Sequence, residues 1–169
     1  YEAVIEAIVA RGLDANISIK PTALGLLIDK NVAHENIERI VRKASENDIF
    51  VRLDMEDNRV TEATLDAARS MHSKGLANIG VVLQGRMFRT PKDILEYCDA
   101  IGENSDFRIC KGIYLEPPEI AHTGYMEIVD ATNNAIDLML DSGAYTAIAS
   151  HDLPVIEHSI KSLESRGLG

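Results

Sequence analysis

Polar side chains stand wherever the short apolar runs of this chain end. Lys20 follows Ile17-Ser18-Ile19, Asp54 follows Val51-Arg52-Leu53, and Gln84 closes Ile79–Leu83. Arg108 and Lys111 belong to the run Phe107–Lys111, and Ser150-His151-Asp152 follows Thr146–Ala149. The densest stretch is Phe107 to Pro118, where Arg108, Lys111 and Gly112 end a strand, Pro117-Pro118 stop it, and Tyr114 is left at its mouth. Two cations beside a glycine suit an anionic or electron-rich ligand, because the glycine admits close backbone approach and the cations donate charge-assisted hydrogen bonds. An Asp–Lys pair such as Asp54 with Lys20 could orient an amino-acid ligand or tune a base. Gln84, after so apolar a run, would be costly to bury unpaired and is expected to hydrogen-bond something planar and polar.

Plainer readings stand beside these. Arg108 and Lys111 could be solvated strand-end charges, Asp54 a helix cap, Lys20 a solvated turn residue and His151 a packed side chain or cap. Asp54, Glu56, His151 and Asp152 could instead supply oxygen and nitrogen ligands to a metal in a lyase or hydrolase. A non-catalytic binding fragment is the third class. Glu116, Glu119 and His122 read as a solvated loop.

The elements that must position these groups alternate. Strands are expected at Ile17–Lys20, Ile49–Asp54, Ile79–Gln84, Phe107–Lys111 and Thr146–Ser150. Between them the apolar period becomes helical, over Tyr1–Arg11, Glu35–Glu46, Thr61 to Gly75, a segment opened by Thr90-Pro91, and Tyr125–Leu140. A last helix follows Asp152. Thr61, Thr90 and Asp152 are the expected N-caps. The expected buried faces include Ile94, Leu95, Cys98 and Ile101, then Ile156, Ile160 and Leu163. Short apolar strands recurring at the spacing of a βα unit imply a parallel sheet in an α/β fold, either a (β/α)8 barrel or a doubly wound sheet. In both, the polar strand ends share the ligand-binding edge.

Composition bounds the function. The chain has 169 residues, 46% of them hydrophobic, enough for one domain with a real core. A net charge of −10 argues against a general nucleic-acid or anionic-membrane surface. Cys98 and Cys110 read as buried unpaired thiols, and no Cys/His spacing suits structural zinc. No leader and no membrane-spanning apolar run is apparent in these residues, which fits a cytoplasmic or organelle-matrix setting. Neither Gly-x-Gly-x-x-Gly nor a P-loop occurs.

Several motifs together resemble one family. Ile17-Ser18-Ile19-Lys20-Pro21-Thr22-Ala23-Leu24-Gly25, Val51-Arg52-Leu53-Asp54-Met55-Glu56-Asp57, Gly80-Val81-Val82-Leu83-Gln84 and Arg108 through Pro118 are similar to proline dehydrogenase of the single-function bacterial type. Ala149-Ser150-His151-Asp152 resembles its Ala-Thr-His motif. The resemblance implies a distorted (β/α)8 barrel holding FAD, which oxidises L-proline to Δ1-pyrroline-5-carboxylate by hydride transfer to flavin N5. Electrons would pass to a membrane quinone, which allows peripheral association with the inner face of the cytoplasmic membrane. By the same resemblance, Lys20, Asp54 and Tyr114 match the proline site. Val82, Gln84, Arg108, Lys111, Gly112, Ile113, Ser150 and His151 match flavin contacts. The chain departs from the family at Ile113, where Ala is usual, at Ser150, where Thr is usual, and at Gly85-Arg86-Met87-Phe88, which is commonly Ala-Tyr-like. About five of eight βα units are expected, so residues 1–169 read as one incomplete barrel domain lacking N-terminal and C-terminal units. The arginines that would clamp the proline carboxylate are absent from these residues.

Overall fold

Short parallel strands alternate with amphipathic helices through residues 1–168, the part of the chain described by a computed structural model. Two compact units divide it, Tyr1–Val81 and the residues from Val82 on.

The first unit opens with α1 (Glu2–Arg11), which stops at Gly12 in the left-handed region, φ 59°. Only Ile5 and Ile8 of its apolar residues are buried, whereas Val4 and Val9 stay exposed. Strand β1 (Ile17–Ile19) leads into a 3-10 turn at Pro21–Leu24 and then α2 (Lys30–Ser45). Helix α2 begins five residues before the hydrophobic period suggests, because Asp29 Oδ1 accepts from the Asn31 and Val32 amides and so caps a polar first turn. Its buried residues Ala33, Ile37, Ile40, Val41 and Ala44 keep helical spacing. Strand β2 (Val51–Leu53) follows, then α3 (Thr61–Ser73). Thr61 is the first helical residue rather than the cap, and its hydroxyl donates to the Asp57 carbonyl at 3.4 Å. Strand β3 (Ile79–Gln84) is buried along its whole length. Strands β1, β2 and β3 are neighbours in that order, with parallel registers Ile19↔Leu53 and Leu53↔Val81.

The second unit takes the end of β3 into α4 (Thr90–Ile101), then β4 (Asp106–Cys110), α5 (Tyr125–Asp141), β5 (Tyr145–Ile148) and α6 (Leu153–Ser165). β4 pairs β5 in parallel register, Phe107↔Thr146 and Ile109↔Ile148. Thr90 does not cap α4: its hydroxyl is buried and donates to the Gln84 carbonyl at 2.5 Å. The buried face of α4 is Thr90, Asp93, Ile94 and Tyr97, while Leu95 is exposed. Tyr97 packs on Phe107 at 5.2 Å between ring centroids. Buried Asp93 is held in a fork by Arg89 at 2.7 and 2.9 Å. On α6 the buried residues are Val155, Ser159 and Ser162, not the Ile160 stripe. Ser159 bonds the Val155 carbonyl and Ser162 bonds Asp137 of α5, so these small hydroxyls are satisfied at a close helix contact. The whole order is α/β with parallel strands, a run of five βα units from a (β/α)8-type barrel.

Candidate functional site

In the first unit, parallel pairing puts the ends of β1 and β2 at one edge, and the chain there leaves two oppositely charged groups together. Lys20 Nζ lies 3.1 Å from Asp54 Oδ2, with the lysine side chain 55% exposed and the aspartate 25%. Ser18, two residues before Lys20 and so on the same strand face, donates to Asp54 Oδ1. An ion pair this exposed adds at most about 1 kcal/mol to folding, so stability does not account for it. Beside it, Glu56 receives both the amide and the hydroxyl of Thr22, at 3.0 and 2.7 Å. That clasp fixes the turn after Lys20 to the loop after Asp54.

In the second unit, Val82 and Gln84 are buried on β3. Arg108 is half-buried on the β4 face opposite Phe107 and Ile109. Beyond β4, Lys111 Nζ donates to Asp152 Oδ2 at 2.7 Å, and Tyr125 Oη donates to Asp152 Oδ1 at 2.8 Å. The Lys111 ammonium first, and the Tyr125 hydroxyl second, hold the Asp152 carboxyl below the usual carboxylate range. The same hydrogen bond pushes the Tyr125 phenol up. Asp152 stands at the N-cap position of α6 but makes no side-chain cap bond; its carboxylate is spent on Lys111 and Tyr125. Lys111, Tyr125, His151, Asp152, Leu153 and Pro154 line an open cleft of about 490 Å3. Ser150 Oγ accepts from the Asp152 amide at 3.1 Å, which shapes the turn carrying His151.

Gly112 has φ 101°, a conformation that side chains rarely adopt. A Cβ there would come within 2.7 Å of Gln84 Oε1 and 2.8 Å of Arg86 Cδ. The Gly112 backbone thus packs closely on the buried Gln84 amide and the Arg86 stem. Of the remaining expected contacts, Ile113 is 86% exposed and Tyr114 is half-buried.

Other expectations change. Glu116 is buried, not solvated, whereas Glu119 is exposed and the His122 ring stands edge-on to Phe88 at 4.7 Å. Neither Cys98 nor Cys110 forms a disulfide among the described residues, and both are only half-buried; the Cys110 thiol donates to the Leu83 carbonyl at 3.6 Å. Among the described residues no group of three or more His, Cys, Asp or Glu gathers as a metal site. No helix among them is long and apolar enough to cross a membrane. Tyr125 escaped the sequence reading because a tyrosine at a helix start looks like any first-turn residue. Ser18 carried a usable signal, its alternation with Lys20.

Comparison with known proteins gives one consistent result. The family model described as proline dehydrogenase matches residues 2–163. Proline dehydrogenase 2 of Bacillus subtilis (strain 168) is 32% identical over 164 residues, 97% of this chain and 53% of that protein. Proline dehydrogenase of Deinococcus radiodurans is 31% identical over 169 residues, 98% of this chain and 54% of that protein. The chain therefore spans about half the length of the curated relatives it matches. Among solved structures, proline utilization A from Bdellovibrio bacteriovorus, inactivated by N-propargylglycine, superposes with a TM-score of 0.89 at 17% identity, covering 100% of this chain and 22% of that one. Proline utilization A from Bradyrhizobium japonicum gives 0.84 at 17% identity, covering 97% of this chain and 20% of that one. At such identities the structural likeness speaks for the fold.

Proposed function

This chain belongs to the proline dehydrogenase family, and from that premise we propose that it carries much of the site of a flavoprotein that oxidises L-proline to Δ1-pyrroline-5-carboxylate. The observation that supports this most is the Lys20–Asp54 pair at 3.1 Å, an acid and a base held at strand ends with little role in stability. The reaction removes a hydride from the ring carbon beside nitrogen and a proton from nitrogen, leaving a C=N bond. Asp54 receives the ring N–H of proline and orients it, Lys20 balances the Asp54 charge, and Tyr114 lines the substrate's place. The clasp of Glu56 on Thr22 keeps the Lys20 turn from drifting.

FAD is the cofactor we assign. The side-chain-free backbone at Gly112, the buried Gln84 amide and the Lys111 ammonium suit an isoalloxazine ring, and Val82, Arg108, Ile113, Ser150 and His151 complete the set. Bound FAD supplies the two-electron acceptor for the hydride. Around it the protein's task is orientation and electrostatics: Arg108 and Lys111 favour the negative charge of the reduced ring. Proline's carboxylate is received, on this reading, by arginines outside these residues. Electrons pass on to a membrane quinone, with the protein in the cytoplasm and peripheral to the inner face of the membrane. The visible absorbance of the full-length protein is the test. It should be yellow as purified or after adding FAD, and a colourless protein that cannot be reconstituted would end this reading.

A further inference from the structure

We propose that Arg86 is a positioning residue for the substrate site: it sets Tyr114, and the segment from Lys111 to His122, by bonding that segment at both ends and in the middle. The proposal rests on the reading of Tyr114 as a substrate-lining residue. Its geometry is independent of that reading. Between Cys110 and Tyr125 the chain has no helix and no strand, only an isolated bridge of Met87 with Ala121. Such a segment is placed by whatever fastens it. The Arg86 amide donates to the Lys111 carbonyl at 3.0 Å, and the Arg86 carbonyl accepts from the His122 amide at 2.8 Å. The guanidinium donates from Nη1 to the Tyr114 carbonyl at 2.6 Å and from Nη2 to the His122 carbonyl at 3.2 Å. One residue therefore holds Lys111, Tyr114 and His122 at once.

The stem takes part as well. A Cβ on Gly112 would meet Arg86 Cδ at 2.8 Å and Cγ at 3.0 Å, so the glycine backbone rests on the arginine's methylenes. Arg86 is 8% exposed, and among the described residues its side chain bonds backbone carbonyls and no carboxylate. A buried guanidinium answered by carbonyl oxygens alone is a device for gathering carbonyls: its planar fork fixes two acceptors in one plane, which a lysine ammonium cannot reproduce. The Arg86 Nε is buried without a partner, so the side chain is not optimised for its own stability. Its value lies in where it puts the Tyr114 carbonyl.

The test uses the full-length holoenzyme with Arg86→Lys, Tyr114→Ala and the double variant. Misplacing a site residue by a fraction of its reach lowers kcat/KM roughly 10- to 100-fold, and that loss is expected for Arg86→Lys. In the Tyr114→Ala background the same change should cost less than about twofold, because the ring whose position Arg86 sets is already gone. Amide hydrogen exchange in residues 111–122 should quicken in Arg86→Lys while the amides of α4 and α5 do not change. Equal losses in both backgrounds, or unchanged exchange in 111–122, overturn the proposal. A wild-type holoenzyme inactive on L-proline instead overturns the assigned reaction, and the exchange result then decides the role of Arg86 alone.

Discussion

Replacing Gly112 by alanine separates two costs that the structure puts on one residue. The first is conformational. At φ 101° a Cβ is strained, at about 1–2 kcal/mol for a left-handed residue. The second is steric. The new methyl would lie 2.7 Å from Gln84 Oε1, 2.8 Å from Arg86 Cδ and 3.0 Å from Arg86 Cγ. Neither neighbour can easily retreat: Gln84 is 3% exposed, and the Arg86 head is tied to the Tyr114 and His122 carbonyls. Overpacking of this kind costs about 1–3 kcal/mol. Gly75→Ala is the control, since Gly75 has φ 78° but nothing within 4 Å of its Cβ position. It should show the conformational cost only. Gly112→Ala should therefore be less stable than Gly75→Ala by about 1–3 kcal/mol. With a urea slope near 2 kcal/mol/M that is a midpoint lower by roughly 0.5–1.5 M. Urea unfolding followed by circular dichroism measures both variants. FAD affinity should fall in Gly112→Ala and hold in Gly75→Ala. Equal midpoints and equal FAD affinity would refute the fit of Gly112 on Gln84 and Arg86.

Arg108→Met removes a guanidinium from the assigned flavin site, so the bound flavin should become harder to reduce; an unchanged or higher reduction potential contradicts the assignment. His72 gives a pH prediction. Burial pushes its imidazole pKa down while its Nε2 sits 3.1 Å from the Ile79 carbonyl. The unfolded state, with a pKa near 6.5, then binds more protons in the window below that value, so stability is present above about pH 6.5 and is lost as pH falls toward the lower folded pKa. His72→Gln should flatten the pH dependence of the urea midpoint in that window, and an undiminished slope would point to another group.

Periodicity made most of the fold legible. Ile79–Gln84 is an apolar run with flanking polar residues, and it is β3 with unchanged bounds. Lys20 and Asp54 could be paired from the sequence because parallel neighbours end at one edge, and register Ile19↔Leu53 sets the residues after each strand side by side. What escaped were side chains whose partners are distant in sequence. Arg86 reaches Tyr114 across 28 positions, and no period marks such a bond. Asp152 has the spacing of a helix cap, yet a charged partner in Lys111 outcompetes backbone amides for its oxygens. On α6 the isoleucines suggest the wrong face, because Ser159 and Ser162 bury their hydroxyls in local bonds and permit a closer approach than isoleucine would.

Whether the proposed oxidation of proline runs at a site containing Asp54 is read by mixing the full-length FAD-loaded protein with L-proline without oxygen, following flavin colour and the cyclic imine together. The wild type should form one imine for each flavin bleached. Asp54→Ala should bleach at least ~100-fold more slowly at limiting proline, equivalent to about 2.7 kcal/mol of transition-state stabilisation. Bleaching of Asp54→Ala at the wild-type rate would remove Asp54 from the site, and bleaching with no imine formed would rule out the proposed reaction.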